Sequence, residues 1–115
     1  MNKVIIVGRL TRDAELRTVG EDERTVMNFT VAVDKPYRPD ISEKEAEFIP
    51  VSYWGKSAAN LCEYMVKGKL ISIGGHIHVR SHEDSEGKRR YSIGIIAEEI
   101  RLLDGNKEQK IENVQ

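Results

Sequence analysis

From Lys69 to Arg80 the chain alternates with a period of two. Ile71, Ile73, Gly75, Ile77 and Val79 fall on one side, and Ser72, Gly74, His76, His78 and Arg80 on the other. A helix cannot keep that rhythm, so the stretch reads as a long strand with one face in a core and one toward water. Its paired glycines, Gly74 and Gly75, mark a sharp bend such as a small barrel requires.

The rest of the chain supplies partners for that strand. Residues 3–11 read as a strand that is apolar on both faces, hence covered on both sides. Residues 12–24 are polar, with a turn signal at Gly20-Glu21-Asp22. Residues 25–34 form a second strand, with Met27, Phe29, Val31 and Val33 on one clean face. Residues 35–45 read as a long loop or hairpin arm, and residues 47–54 as a third strand. A single helix follows over 57–68: Ser57 suits its N-cap, Ala58, Leu61, Cys62 and Met65 its inner face, and Lys67-Gly68 its end. A polar hairpin over 81–89, with Gly87 near its tip, joins the long strand to a last strand over 91–103, irregular around Glu98-Glu99. The expected architecture is all-β: a five-stranded Greek-key OB-fold barrel with one short helix between strands 3 and 4, plugging the barrel's open end. Residues 1–104 form one domain, and residues 105–115 a short polar tail expected to be disordered.

Composition narrows the function classes. The chain is 39% hydrophobic and 32% charged, a globular balance, and its longest apolar runs are too short to cross a membrane. One cysteine, Cys62, leaves no internal disulfide and suits a reducing cytoplasm. A net charge of −1 argues against a strongly basic nucleic-acid binder, while leaving room for a local positive groove.

The third strand carries the oddest face. Ile49, Val51 and Tyr53 make an ordinary half-buried side, but Phe48 and Trp54 share the opposite side with Pro50 and Ser52. Two large rings on a face suited to water are either covered by a lid or another subunit, or are platforms for a flat ligand such as a nucleic-acid base. Tyr37, between Lys35 and Arg38, is a base clamp or packs on its own loop. His76 and His78 share a strand face and His82 follows, but a Zn²⁺ site would need a further ligand, and residues 72–80 of that face carry no carboxylate. The sequence shows no P-loop, no nucleophile elbow and no Cys–His pairing, so no catalytic residue, cofactor or metal is assigned and the chain is not read as an enzyme.

These residues resemble a known family. Residues 2–17 (NKVIIVGRLTRDAELR), Asn28–Val33, Trp54-Gly55-Lys56, Glu63-Tyr64 with Lys67-Gly68, and Gly75–Ser81 are similar to bacterial and phage single-stranded DNA-binding proteins. The resemblance implies an OB-fold homotetramer that binds single-stranded DNA without sequence preference in replication, recombination or repair, with no cofactor and no membrane. It implies a cytoplasmic location, nucleoid-associated, or in the host cytoplasm if phage-encoded. It places stacking aromatics at Tyr37, Phe48 and Trp54, and phosphate contacts at Lys3, Lys56, Lys67 and Arg80, with Arg9 and Arg17 as further candidates. Lys35, Arg38, His76, His78 and His82 complete the expected nucleic-acid-binding set.

Departures from the family pattern also matter. His82 stands where the family has an aromatic, and Asp13-Ala14-Glu15 replaces Asp-Pro-Glu. Asn106 to Gln115 does not match the family's long Gly/Gln/Pro-rich tail with an acidic, aromatic tip. Tail-mediated recruitment of replication proteins is therefore not expected, and the chain reads as a phage, plasmid or accessory paralogue or a truncated form. The alternative reading is a primosome-type OB adaptor that binds proteins through the same barrel, with weak affinity for DNA.

Overall fold

The alternating stretch becomes half of the longest strand pair among the described residues. In the computed structural model, which describes residues 1–35 and 46–103, the elements are β1 (Val4–Leu10), β2 (Glu15–Val19), β3 (Arg24–Asp34), β4 (Ala46–Trp54), α1 (Ser57–Cys62), β5 (Leu70–Glu83) and β6 (Arg89–Leu102). The sheet runs β1-β5-β6-β4-β3-β2, and β1 also pairs with β3, which closes the ring. All pairings are antiparallel except β4 with β6, which meet in parallel at Val51–Ile95 and Ser52–Ile96. This is the OB-fold barrel expected from the strand order, with its short helix leading into β5.

The sixth strand is the first one broken in two. β1 and β2 lie along the same edge of β3. Leu10 is opposite Val31 and Glu15 opposite Asn28, so five steps on one side match three on the other. The extra residues form a bulge within 11–14. Asp13 and Ala14 anchor it: Asp13 Oδ1 accepts from the Lys67 amide at 2.8 Å, and the Ala14 amide donates to the Met65 carbonyl at 2.9 Å. All five residues of β2 are exposed. With no buried face there is no alternation, which is why this segment reads as a turn from sequence alone.

The helix is shorter than its pattern suggests. It ends at Cys62, and Ser57 does not cap it. The N-cap position is Lys56, without a side-chain bond, and the Ser57 hydroxyl pairs instead with Tyr53 Oη at 3.0 Å. Gly68, at φ +86°, belongs to a separate tight turn over residues 66–69, closed by the Lys69 amide on the Val66 carbonyl. What survives of the helical pattern is its purpose. Ala58 and Met65 are fully buried and join Leu10, Met27, Phe29, Val31, Val51, Ile71, Ile73, Ile95 and Ala97 in the core.

Alternation stops reporting burial where the barrel ends. β5 and β6 run past it as a two-stranded arm, leaving Ile77, Val79, Tyr91 and Ile93 exposed although they continue the inner faces of their strands. Ile5 is 82% and Val7 50% exposed, so a single chain covers only one face of β1. The register shifts at Gly74/Gly75, setting Ala97 opposite Gly75 and Glu99 opposite Gly74 and leaving Glu98 as the extra residue, at the irregularity expected there.

The two glycines of this bulge have unequal roles. A Cβ on Gly75 would lie 2.1 Å from the Ile96 carbonyl oxygen, whereas one on Gly74 meets nothing nearer than 4.0 Å. Gly75→Ala is expected to destabilise the barrel by about 1–3 kcal/mol, the usual cost of overpacking, and Gly74→Ala by much less. Urea unfolding of the two variants checks the difference.

Candidate nucleic-acid interface

The register of β3 against β4 builds an outward-facing row. Trp54 lies opposite Val26, Ser52 opposite Asn28, Pro50 opposite Thr30 and Phe48 opposite Ala32. Cross-strand partners share a face, so both rings stand on the outside of the barrel while Val51 turns inward. Phe48 is 68% exposed. Trp54 is half-buried beneath Arg24, whose guanidinium carbon is 4.7 Å from the ring centre. Between the rings the Ser52 hydroxyl donates to Asn28 Oδ1 at 2.7 Å, which fixes the polar floor.

A groove of about 410 Å³ opens over that floor. Asn28, Thr30, Pro50 and Ser52 line its base, Arg12 and Glu15 come from the bulged first strand, and His78, Arg80 and Ser92 come from the arm. The arm is seated closely at its root: a Cβ on Gly94 would be 3.3 Å from the Pro50 carbonyl oxygen. Along the arm the pairs His78–Gly94, Arg80–Ser92 and His82–Arg90 share one polar face. A second depression, of about 310 Å³, surrounds Trp54 and is lined by Arg24, Lys56, Asp22 and Glu23 among others.

The arm's tip is held by one carboxylate. Asp84 Oδ1 accepts from the amides of Glu86 and Lys88, both at 2.9 Å, and Oδ2 accepts from Arg90 Nε at 2.9 Å. Gly87, at φ +82°, completes the turn with its amide on the Asp84 carbonyl. The Arg90 guanidinium first, and then the Lys88 amide, hold the Asp84 carboxyl below the usual carboxylate range.

Residues 1–103 match the model of the single-strand binding protein family. The chain belongs to that family. Single-stranded DNA-binding protein 2 of Clostridium acetobutylicum is 43% identical over 114 residues, which cover 99% of this chain and 85% of that one. Single-stranded DNA-binding protein 1 of the same organism is 38% identical over 94% of this chain and 98% of its own length. The single-stranded DNA-binding protein of Clostridium tetani is 45% identical over 94% of this chain and 74% of its own.

Within this single-strand binding protein barrel the expected site residues divide. Phe48 and Trp54 stand on the outer row, His78 and Arg80 line the groove, and Lys56 shares the depression of Trp54. Arg17 lies opposite Val26, which lies opposite Trp54, so it extends the row onto β2. His82 is exposed opposite Arg90 near the tip of the arm. The other expected residues among those described do not line the groove. Arg9 donates from Nη1 to the Gly68 carbonyl at 2.9 Å, tying β1 to the 66–69 turn on which Lys67 is exposed. His76 pairs through Nδ1 with Glu98 at 3.2 Å, a carboxylate supplied by the adjacent strand. Lys3 is exposed ahead of β1, beside Asn2, whose side chain exchanges two hydrogen bonds of 2.9 Å with the backbone of Ile77. Lys35 is exposed at the edge of the described residues, and Tyr37 and Arg38 lie outside them.

Among the described residues no three His, Cys, Asp or Glu side chains gather as metal ligands, and no helix is long and apolar enough to cross a membrane. The sequence reading missed Arg12, Arg24, Asn28, Ser52 and Ser92. Ser52 shares its strand face with Trp54 and is legible by parity, whereas Asn28 joins them only through the register of β3 against β4. Arg12 sits in a bulge that no periodicity announces.

Asp84 gives the arm a defined acid response. Its folded pKa is depressed, so its contribution is present above the ordinary carboxylate range and is lost as pH falls through the depressed value. Acidification below that range is expected to lower the protection of the Glu86 and Lys88 amides, measured as their hydrogen-exchange rates relative to the intrinsic rates at the same pH. Asp84→Ala is expected to produce the same loss of protection at neutral pH, read by NMR.

Proposed function

We propose that this protein binds and shields single-stranded DNA without sequence preference. The supporting observation is the exposed ring of Phe48 in a row with Trp54, set beside a groove flanked by Arg12 and Arg80. Bases stack on rings whatever their identity, and the cations meet phosphates, so neither contact reads sequence. In duplex DNA the base faces are already stacked, and the rings have nothing to engage. The names of its relatives point the same way. The reading is of a binding protein and not an enzyme, acting in replication, recombination or repair in the cytoplasm. The protein-adaptor alternative is not favoured by any of these matches.

In this reading Lys3, Arg17, Lys35, Arg38, Lys56, Lys67, His76, His78 and His82 extend the track beyond its centre, with Tyr37 as a further ring and Arg9 at its margin. Residues 106–115 contain no aromatic, and no recruiting role is assigned to them. Assembly as a homotetramer would cover Ile5 and Val7, whose exposure leaves apolar surface on β1. Light scattering at micromolar concentration is expected to return a mass several times the 13.1 kDa of one chain.

Titration with poly-dT is expected to quench the single tryptophan, Trp54, with affinity falling as salt rises. A duplex of equal length should compete poorly. Phe48→Ala is expected to cost about 1–3 kcal/mol per stacked base without lowering the melting temperature. Ile73→Ala, in the core, should instead lower stability by about 2–5 kcal/mol. If Phe48→Ala unfolds the chain and spares affinity, the ring is a packing element and the reading is wrong.

A further inference from the structure

Arg24 is the first residue of β3 and lies two positions before Val26, the partner of Trp54. At strand period that sets it on the outer face, one step beyond the row of rings. Its guanidinium lies over the indole at 4.7 Å from the ring centre. Asp22 and Glu23 line the same depression, but among the described residues neither forms an ion pair with it. The cation is therefore positioned by an aromatic surface, not neutralised by a carboxylate. A guanidinium resting on a ring keeps its N–H donors available to an acceptor, and its fork suits two phosphate oxygens. Lys56 brings a second cation to the same depression.

We infer that Arg24 is a phosphate-binding residue at the Trp54 end of the track, held ready by the indole. The inference rests on the single-stranded DNA reading and adds to it a residue and a ligand group. DNA alternates flat bases with phosphodiesters. A strand that follows the row from Phe48 brings a base to the region of Trp54, and the phosphate beside that base meets Arg24. Trp54 then acts twice, as an apolar surface for the base and as the support that fixes the cation.

The test is poly-dT binding by the full chain as a function of salt. Arg24→Gln keeps length and polarity but removes the charge. It is expected to weaken binding several-fold at low salt and to make the slope of log K against log salt shallower by ~0.7 for each engaged subunit. Arg24→Lys keeps the charge and should retain most of the slope. Melting temperatures of both variants should match the unsubstituted protein, since Arg24 is exposed. An Arg24→Gln variant with native slope and affinity overturns the inference, as does one that binds more tightly, which would make the guanidinium a cover over the ring. If the unsubstituted protein fails to bind poly-dT, the functional reading itself falls; if it binds normally and Arg24 leaves the slope unmoved, only this inference falls.

Discussion

The barrel depends on one strand serving two partners. β1 pairs with β5 from Val4 to Arg9, and at Arg9 and Leu10 it also pairs with β3. That transfer is possible because Gly8 has no side chain: a Cβ there would lie 2.3 Å from the Ala32 carbonyl oxygen. The close approach closes the ring, so the five longer strands have no wholly open edge within the barrel. Leu10 then turns into the core, and the bulge that follows sends β2 along the remaining edge of β3.

Closure decides what faces outward. With the ring shut, alternate residues of β3 and β4 point into one small core, which takes Met27, Phe29, Val31 and Val51. The interleaved residues have no interior to enter. Phe48 is therefore exposed by parity rather than by poor packing, and the same parity aligns Ser52, Asn28, Arg17 and Trp54 across three strands. The candidate site is the outer half of the pattern that makes the fold.

The parts of this arrangement legible in the sequence are those governed by period two. The two faces of residues 48–54, the bend at Gly74-Gly75 and the irregularity at Glu98-Glu99 all follow from it. What stayed hidden depends on which strands become neighbours. β2 is exposed throughout, so it leaves no hydrophobic signature. Ile77 and Val79 keep the alternation of a buried face after the barrel beneath them has ended. Ser57 has the chemistry of a cap, yet Tyr53 takes its hydroxyl. The carboxylate beside His76 arrives from β6, beyond any local window. The place of Arg24 over Trp54 requires knowing that residues 26 and 54 are opposite each other.

The ladder around the ring is uneven. β3 and β4 are paired from Val26–Trp54 to Asp34–Ala46, whereas β4 and β6 meet only at Val51–Ile95 and Ser52–Ile96. All four residues of that short seam also line the groove. The floor of the groove is therefore, like the β1–β3 junction, a stretch of wall held at only two paired positions. A chain laid from Arg12 to Arg80 crosses this seam like a stitch, joining the β3–β4 side to the arm side from outside. A ligand held there as proposed would tie together two strands that the parallel contact joins at only two positions, so filling the groove would also stiffen the barrel.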